Sequence, residues 1–175
     1  MTATLRVVSG GLPAAPRDVP VGLGRLAVSA DPAEMLSALG LGSCIGLVMV
    51  DVRAGVAGLA HVMLPASRAG DGALPGKFAD TAAPALLAGV VGLGASPRRI
   101  TVKIAGGAQM FAHGSGGRVM AVGMRNEEAV RAAVAGVGLR IAAAETGGER
   151  GRTLRVEVAT GRVTVRSVGG EAAAL

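Results

Sequence analysis

Alternating apolar and polar residues near the C-terminus predict the clearest β-hairpin in the chain. Leu154, Val156 and Val158 alternate with polar residues over 153–158, and a second alternating segment follows over 162–168. A period of two places successive side chains on opposite faces of a strand. The Thr-Gly pair between the segments provides the turn, so we expect two antiparallel strands here.

Two short apolar runs in the middle of the chain predict a second hairpin. Ile45–Val50 is rich in branched residues and is bounded by glycine, and residues 55–64 form its expected partner, which Pro65 ends. Comparable short runs predict further strands over 24–29, 99–105, 119–122 and 139–143.

Two segments have the pattern of a helix. The first is expected to start at Asp80 or Thr81 and to end near Val91, and Pro84 requires either a later start or a kink. The second is expected to begin with Asn126 as its cap. Its apolar residues recur on one face, namely Val130, Ala133, Val134 and Val137.

The remaining pattern indicates the domain organisation. Residues 1–20 mix Pro, Gly and Ala without periodicity, so we expect a flexible N-terminal tail followed by a single domain over 21–175. Residues 33–39 are expected to be short helical or irregular chain. Hairpins with two inserted helices are typical of an α+β fold whose strands are mostly antiparallel.

Composition narrows the function classes. The net charge is +6, but Lys and Arg are spread along the chain and only two aromatic residues are present, so we expect no nucleic-acid binding. No apolar run is long enough for a membrane span, and no export signal is visible. One cysteine among 175 residues suits a reducing compartment, so we expect a cytoplasmic protein without membrane insertion.

A metal or cofactor site has little support. The chain has one cysteine, Cys44, and two histidines, His61 and His113, whereas zinc takes three or four such ligands. No GxxxxGK[ST] phosphate loop is present, and the glycines at 22–24 are too few for a dinucleotide fingerprint. We therefore expect no metal and no cofactor.

A cysteine and histidine pair remains as candidate chemistry. Cys44 starts the outgoing strand of the central hairpin and His61 lies near the end of the return strand, so both should reach the same sheet edge. A thiol beside an imidazole base can attack a carbonyl, and the Gly42-Ser43 turn can present N–H groups as an oxyanion hole. The alternative is that Cys44 is a small buried hydrophobe and His61 a structural, hydrogen-bonded residue.

Seven segments carry a family resemblance. They are LGLGSCIGLVMVD, AHVMLP, PGKFADTA, KIAGGAQMF, MRNEEAV, AETGGERGRTL and TGRVTVRSVGG. Between Gly22 and Gly170, in order and spacing, they resemble the chemoreceptor glutamine deamidases, the CheD family. The combination of LGSC, AHVMLP and GGAQMF is specific, because it joins three separate motifs.

The resemblance implies a cytoplasmic cysteine hydrolase of bacterial chemotaxis. Such enzymes convert particular glutamines of methyl-accepting chemotaxis receptors to glutamate and release ammonia, and a CheC-type phosphatase is a further partner in the family. The implied fold is a layered α/β/β sandwich similar to toxin-type cysteine deamidases. Cys44 would be the nucleophile and His61 the base.

The chain departs from the family at one position. The family's threonine, which orients the histidine, corresponds to Ala38. Ser37, Ser43, Thr81 or a backbone carbonyl are the candidates to replace it. The departure also favours a second hypothesis, a weakly active or inactive adaptor that binds receptors or the phosphatase. A third hypothesis is a cysteine hydrolase or transglutaminase-like enzyme acting on other amides.

The GGAQMF segment offers further candidates. By resemblance, Gly106, Gly107 and Gln109 would line the substrate site, although a tight turn explains the two glycines better than a contact with substrate does. The following Met-Phe pair is expected in the core. His113 is expected in a glycine-rich loop away from catalysis.

Overall fold

Ten strands and two helices make up the part of the chain that the computed structural model describes, residues 15–68, 74–109 and 120–175. In chain order they are β1 (Arg17–Pro20), β2 (Leu26–Ser29), β3 (Glu34–Leu41), β4 (Ile45–Asp51), β5 (Val56–Val62), α1 (Ala79–Gly92), β6 (Thr101–Gly106), α2 (Met120–Gly136), β7 (Ile141–Thr146), β8 (Arg152–Glu157), β9 (Val163–Ser167) and β10 (Ala172–Ala174). None of the helices in these ranges is long and apolar enough to cross a membrane.

The strands form two five-stranded sheets. The central sheet has the order β2-β5-β4-β6-β7, and the outer sheet has the order β1-β3-β8-β9-β10. Neighbouring strands are antiparallel except for two parallel pairs, β1 with β3 and β6 with β7. Both predicted hairpins, β4-β5 and β8-β9, are confirmed.

Two apolar cores explain why these sheets stack. Alternate residues of β4 divide between them: Ile45, Leu47 and Met49 pack towards α1 and α2, whereas Val48 and Val50 pack towards the outer sheet. We call these the helix-side core and the inter-sheet core. All of β4 and β5 is buried, which explains their continuous apolar sequence. The order helices, central sheet, outer sheet confirms the predicted α+β layered sandwich.

The prediction that residues 33–39 are helical or irregular is wrong. Residues 34–41 form β3, which pairs with β1 on one side and with β8 on the other. Helix-forming residues such as Leu36 and Ala38 occupy this strand because both are fully buried in the inter-sheet core. Packing between the sheets outweighs intrinsic propensity here.

Helix α2 begins earlier than the sequence predicts. The predicted strand over 119–122 does not form over its described residues, and Asn126 is not a cap, because the helix already begins at Met120. Gly123 allows this helix to approach the loop after β6. A Cβ at Gly123 would lie only 2.5 Å from the carbonyl oxygen of Gly107.

The first helix and the N-terminal segment differ from expectation at their boundaries. Helix α1 begins at Ala79 and continues through Pro84, so the late start did not occur. Within the predicted tail, Arg17–Pro20 forms an edge strand in the outer sheet. The tail prediction over 1–14 lies outside the described residues.

An ion pair between the buried Asp51 and the exposed Arg99 lies at the end of β4 that is remote from Cys44. Asp51 is 1% exposed and accepts hydrogen bonds from Arg99 and from the Ser96 and Ala54 N–H groups. The Arg99 hydrogen bonds lower the pKa of this carboxyl to about 2, with the backbone donors adding to the effect and burial opposing it.

We expect this carboxylate to make folding stability depend on acid. A depressed pKa in the folded state contributes stability above the ordinary value of 3.8, which is lost as pH falls from about 4 through about 2. The Asp51→Asn variant should lose about 2 kcal/mol at pH 7 and show a flatter profile in that window. Urea unfolding between pH 2.5 and 7 measures this, with the exposed carboxylate variant Glu149→Gln as control. Equal acid dependence in Asp51→Asn and wild type would contradict it.

Candidate active site

Cys44 lies in the turn between β3 and β4, where two backbone contacts fix it. Its carbonyl accepts a 2.8 Å hydrogen bond from the Gly107 N–H, and the Gly42 carbonyl accepts one of 2.7 Å from the Ala108 N–H. The thiol is half-buried and packs against the inter-sheet core. The loop after β6 therefore holds the cysteine turn through two backbone hydrogen bonds.

The register of the central hairpin relates His61 to Cys44. His61 pairs with Gly46, two residues beyond Cys44 on the same face of the sheet. Diagonal positions of this kind lie about 7–8 Å apart between Cα atoms, within reach of a long side chain. Glycine at position 46 leaves no side chain between them. A Cβ there would lie 2.5 Å from Leu154 Cδ2.

His61 is held by a backbone carbonyl. It is 2% exposed, and its Nδ1 lies 3.2 Å from the Val21 carbonyl oxygen. A carbonyl can only accept, so Nδ1 carries the proton and Nε2 has the free lone pair. Among the described residues, Nε2 has no hydrogen-bond partner. Burial lowers the pKa of His61, with the Val21 contact opposing it, so the imidazole is neutral at pH 7.

Burial shifts the pKa of the Cys44 thiol in the direction opposite to that of His61. It raises this pKa above the ordinary value of 9.0. The pair in the free protein is therefore a thiol and a neutral imidazole, rather than a thiolate and an imidazolium.

Ala38 and Ser37 are both fully buried in β3. Ala38 packs in the inter-sheet core, in register with Leu154. The Ser37 hydroxyl makes no hydrogen bond to any described residue, although Ser37 lines a pocket of about 170 Å³ together with His61. Its role as an orienting group stays a prediction. The Thr81 hydroxyl, another candidate, donates to the carbonyls of the loop before α1 instead, at Pro75 and Phe78.

Backbone geometry explains the two glycines at the end of β6, Gly106 and Gly107. Gly106 and Gly107 have φ angles of 120° and 66°, which favour glycine, and a Cβ on Gly106 would lie 2.1 Å from the Cys44 carbonyl oxygen. Gln109 is held by its N–H, which donates to the Gly148 carbonyl at 2.7 Å. Their predicted contact with substrate is untested. The predictions for Met110, Phe111 and His113 lie outside the described residues.

Asn126 is the site residue that the sequence interpretation missed. It is fully buried inside α2, and its Nδ2 donates to the Ser43 carbonyl at 2.9 Å and to the Met63 carbonyl at 2.8 Å. Ser43 directly precedes Cys44, and Met63 follows His61 by two residues. The available signal was spacing: Asn126 lies four residues before Val130 on the buried stripe of the helix, where a polar residue needs partners.

Metal ligands are not grouped in this region. Across residues 15–68, 74–109 and 120–175, no three His, Cys, Asp or Glu side chains come together as a metal site.

Comparison with known proteins identifies the family. The family model described as CheD chemotactic sensory transduction matches residues 63–167. A protein named probable chemoreceptor glutamine deamidase CheD from Symbiobacterium thermophilum is 45% identical over 151 residues, which cover 85% of this chain and 92% of that protein. The chemoreceptor glutamine deamidase CheD of Thermotoga maritima is 42% identical over 150 residues, which cover 86% of this chain and 92% of that protein. This chain belongs to the CheD family.

Proposed function

We propose that this protein hydrolyses glutamine side-chain amides of methyl-accepting chemoreceptors to glutamate, using Cys44 as nucleophile and His61 as base. The observation that carries the proposal is the shared face of Cys44 and His61 in the central hairpin, with Nε2 unprotonated and unpaired among the described residues. The substrate class comes from relatives named chemoreceptor glutamine deamidase. The family match itself starts at residue 63, beyond both residues, so their roles depend on this geometry.

The reaction follows from the two side chains. The Cys44 thiol gives its proton to His61 Nε2 as Sγ attacks the amide carbon, and a tetrahedral oxyanion forms. The imidazolium then protonates the leaving nitrogen, so ammonia departs and a thioester remains. Water, deprotonated by His61, attacks the thioester, and glutamate is released with the thiol restored.

The Val21 carbonyl replaces the hydroxyl that Ala38 lacks. It accepts from His61 Nδ1, which fixes the tautomer and the ring orientation. Val21 is itself anchored, because its N–H donates to the Ser37 carbonyl at 2.7 Å in β3. The outer sheet thus orients the base through two backbone contacts.

An adaptor function is the second candidate. Ala38 has no hydroxyl, and burial raises the pKa of Cys44, so both features favour slow chemistry. In that case the protein would bind a receptor or a CheC-type phosphatase in the cytoplasm without turnover.

Cys44→Ala is expected to abolish deamidation, because it removes the only thiol in the chain. A receptor cytoplasmic fragment incubated with each protein is mapped by mass spectrometry for the 1 Da gain of amide-to-acid conversion. We expect a loss of about 10³-fold or more in rate, with unchanged affinity for the fragment. Conversion at the wild-type rate in Cys44→Ala would overturn the mechanism. Binding by both proteins with conversion by neither would favour the adaptor.

Alkylation of Cys44 is expected to follow its raised pKa. The thiolate reacts with iodoacetamide, so the rate should keep rising with pH beyond 9.0 instead of levelling off near neutrality. Intact-protein mass spectrometry reports modification directly, with a small free thiol as reference. A rate that is already at its plateau at pH 7 would mean a preformed thiolate and imidazolium pair.

Ser37→Ala separates the two candidate orienting groups. If the Val21 carbonyl orients His61, removal of the unpartnered Ser37 hydroxyl should leave kcat within about 3-fold and cost no stability. If Ser37 is the orienting group, kcat should fall by about 10-fold or more while the protein stays folded. Deamidation kinetics and urea unfolding of the same preparation distinguish the two.

A further inference from the structure

Asn126 attaches two chain segments of the candidate site to a helix that contributes neither nucleophile nor base. Its side-chain nitrogen contacts the Ser43 and Met63 carbonyls, both of which can only accept hydrogen bonds. The NH₂ end of the amide must therefore face the two carbonyls, which fixes its orientation. The amide oxygen has no partner among the described residues, so these two contacts alone hold the group.

The contact with Asn126 shows to which side of the central sheet the Ser43 carbonyl points. Helix α2 packs on the helix side of the central sheet, where Val130 and Val134 join Ile45 in the helix-side core. The Ser43 carbonyl therefore points towards the helices. The Cys44 thiol packs on the opposite side, against the inter-sheet core.

The Ser43–Cys44 peptide bond is trans, since the described residues contain no cis peptide. In a planar trans peptide, the C=O and N–H groups point in opposite directions. With the carbonyl held towards α2, the Cys44 N–H points towards the side on which the thiol and His61 lie. Among the backbone hydrogen bonds of the described chain outside regular elements, this N–H donates none.

We propose that Asn126 is a positioning residue that holds the Cys44 N–H as an oxyanion-hole donor. The inference deepens the proposed function and rests on its acyl chemistry. As Sγ forms a bond to a carbonyl carbon, the carbonyl oxygen becomes an oxyanion beside this N–H. Asn126 lowers the cost of that charge by keeping the peptide in one orientation before substrate arrives.

The test compares two reactions of the same thiol. Acylation by p-nitrophenyl acetate passes through an oxyanion: the S–C bond forms, the C–O bond breaks, p-nitrophenolate leaves and the thiol proton goes to His61. Alkylation by iodoacetamide forms an S–C bond and releases iodide, with no oxyanion. The ratio of acylation to alkylation therefore reports the oxyanion hole, and Cys44→Ala gives the background of both.

Asn126→Ala is expected to lower this ratio by about 10²-fold to 10³-fold, the usual effect of losing one oxyanion donor. Asn126→Ser keeps one hydroxyl donor and should give an intermediate ratio, and it provides the measurement if Asn126→Ala does not fold. Asp51→Asn is the matched control. It disrupts a buried polar contact at the opposite end of β4, so it should lower stability without changing the ratio.

Two results would overturn the inference. Acylation and alkylation that fall by the same factor would mean that Asn126 only holds the thiol or the fold. An unchanged ratio in a folded Asn126 variant would mean that the Cys44 N–H does not depend on it. Failure of the proposed function would give a different result. In that case the wild-type protein would leave receptor glutamines intact, while the Asn126 variants would still show a lower ratio of acylation to alkylation than the wild type.

Discussion

The register between β4 and β5 is the constraint on which the rest of the structure depends. Both strands are buried on both faces, so each successive residue belongs to a different core. A slip of one residue would move Ile45 and Leu47 out of the helix-side core and turn His61 away from the face of Cys44. The same apolar packing that stabilises the sandwich therefore also fixes the geometry of the candidate pair.

Backbone groups hold this site more than side chains do. The Val21 carbonyl accepts a hydrogen bond from His61 Nδ1, the Gly107 N–H donates to the Cys44 carbonyl, and the Asn126 side chain donates to the Ser43 carbonyl. Backbone contacts persist when side chains change. The imidazole of His61 therefore has a hydrogen-bond partner although Ala38 has no hydroxyl.

The local pattern predicted some elements well and could not predict others. The hairpins β4-β5 and β8-β9 are visible in the sequence because their period and their turn residues agree. Strand β3 was missed because its helix-forming residues are buried only when the two sheets stack. Because α2 begins at Met120, Asn126 is a buried residue inside the helix and not the predicted cap. The ends of the hairpin predicted that Cys44 and His61 lie on one sheet edge, whereas the partner of His61 is a carbonyl 40 residues earlier, which no side-chain motif encodes.

Asp51 lies at one end of β4, and Cys44 and His61 lie at the other end, and burial affects the charge of the two groups differently. At one end, Asp51 is ionised and paired with Arg99, which stabilises the fold. At the other end, Cys44 and His61 remain neutral, because burial disfavours the charged form of each. A neutral thiol reacts slowly with oxidants and alkylating agents. In the proposed mechanism, the thiol therefore reacts slowly until a carbonyl group arrives whose developing oxyanion the Cys44 N–H can stabilise.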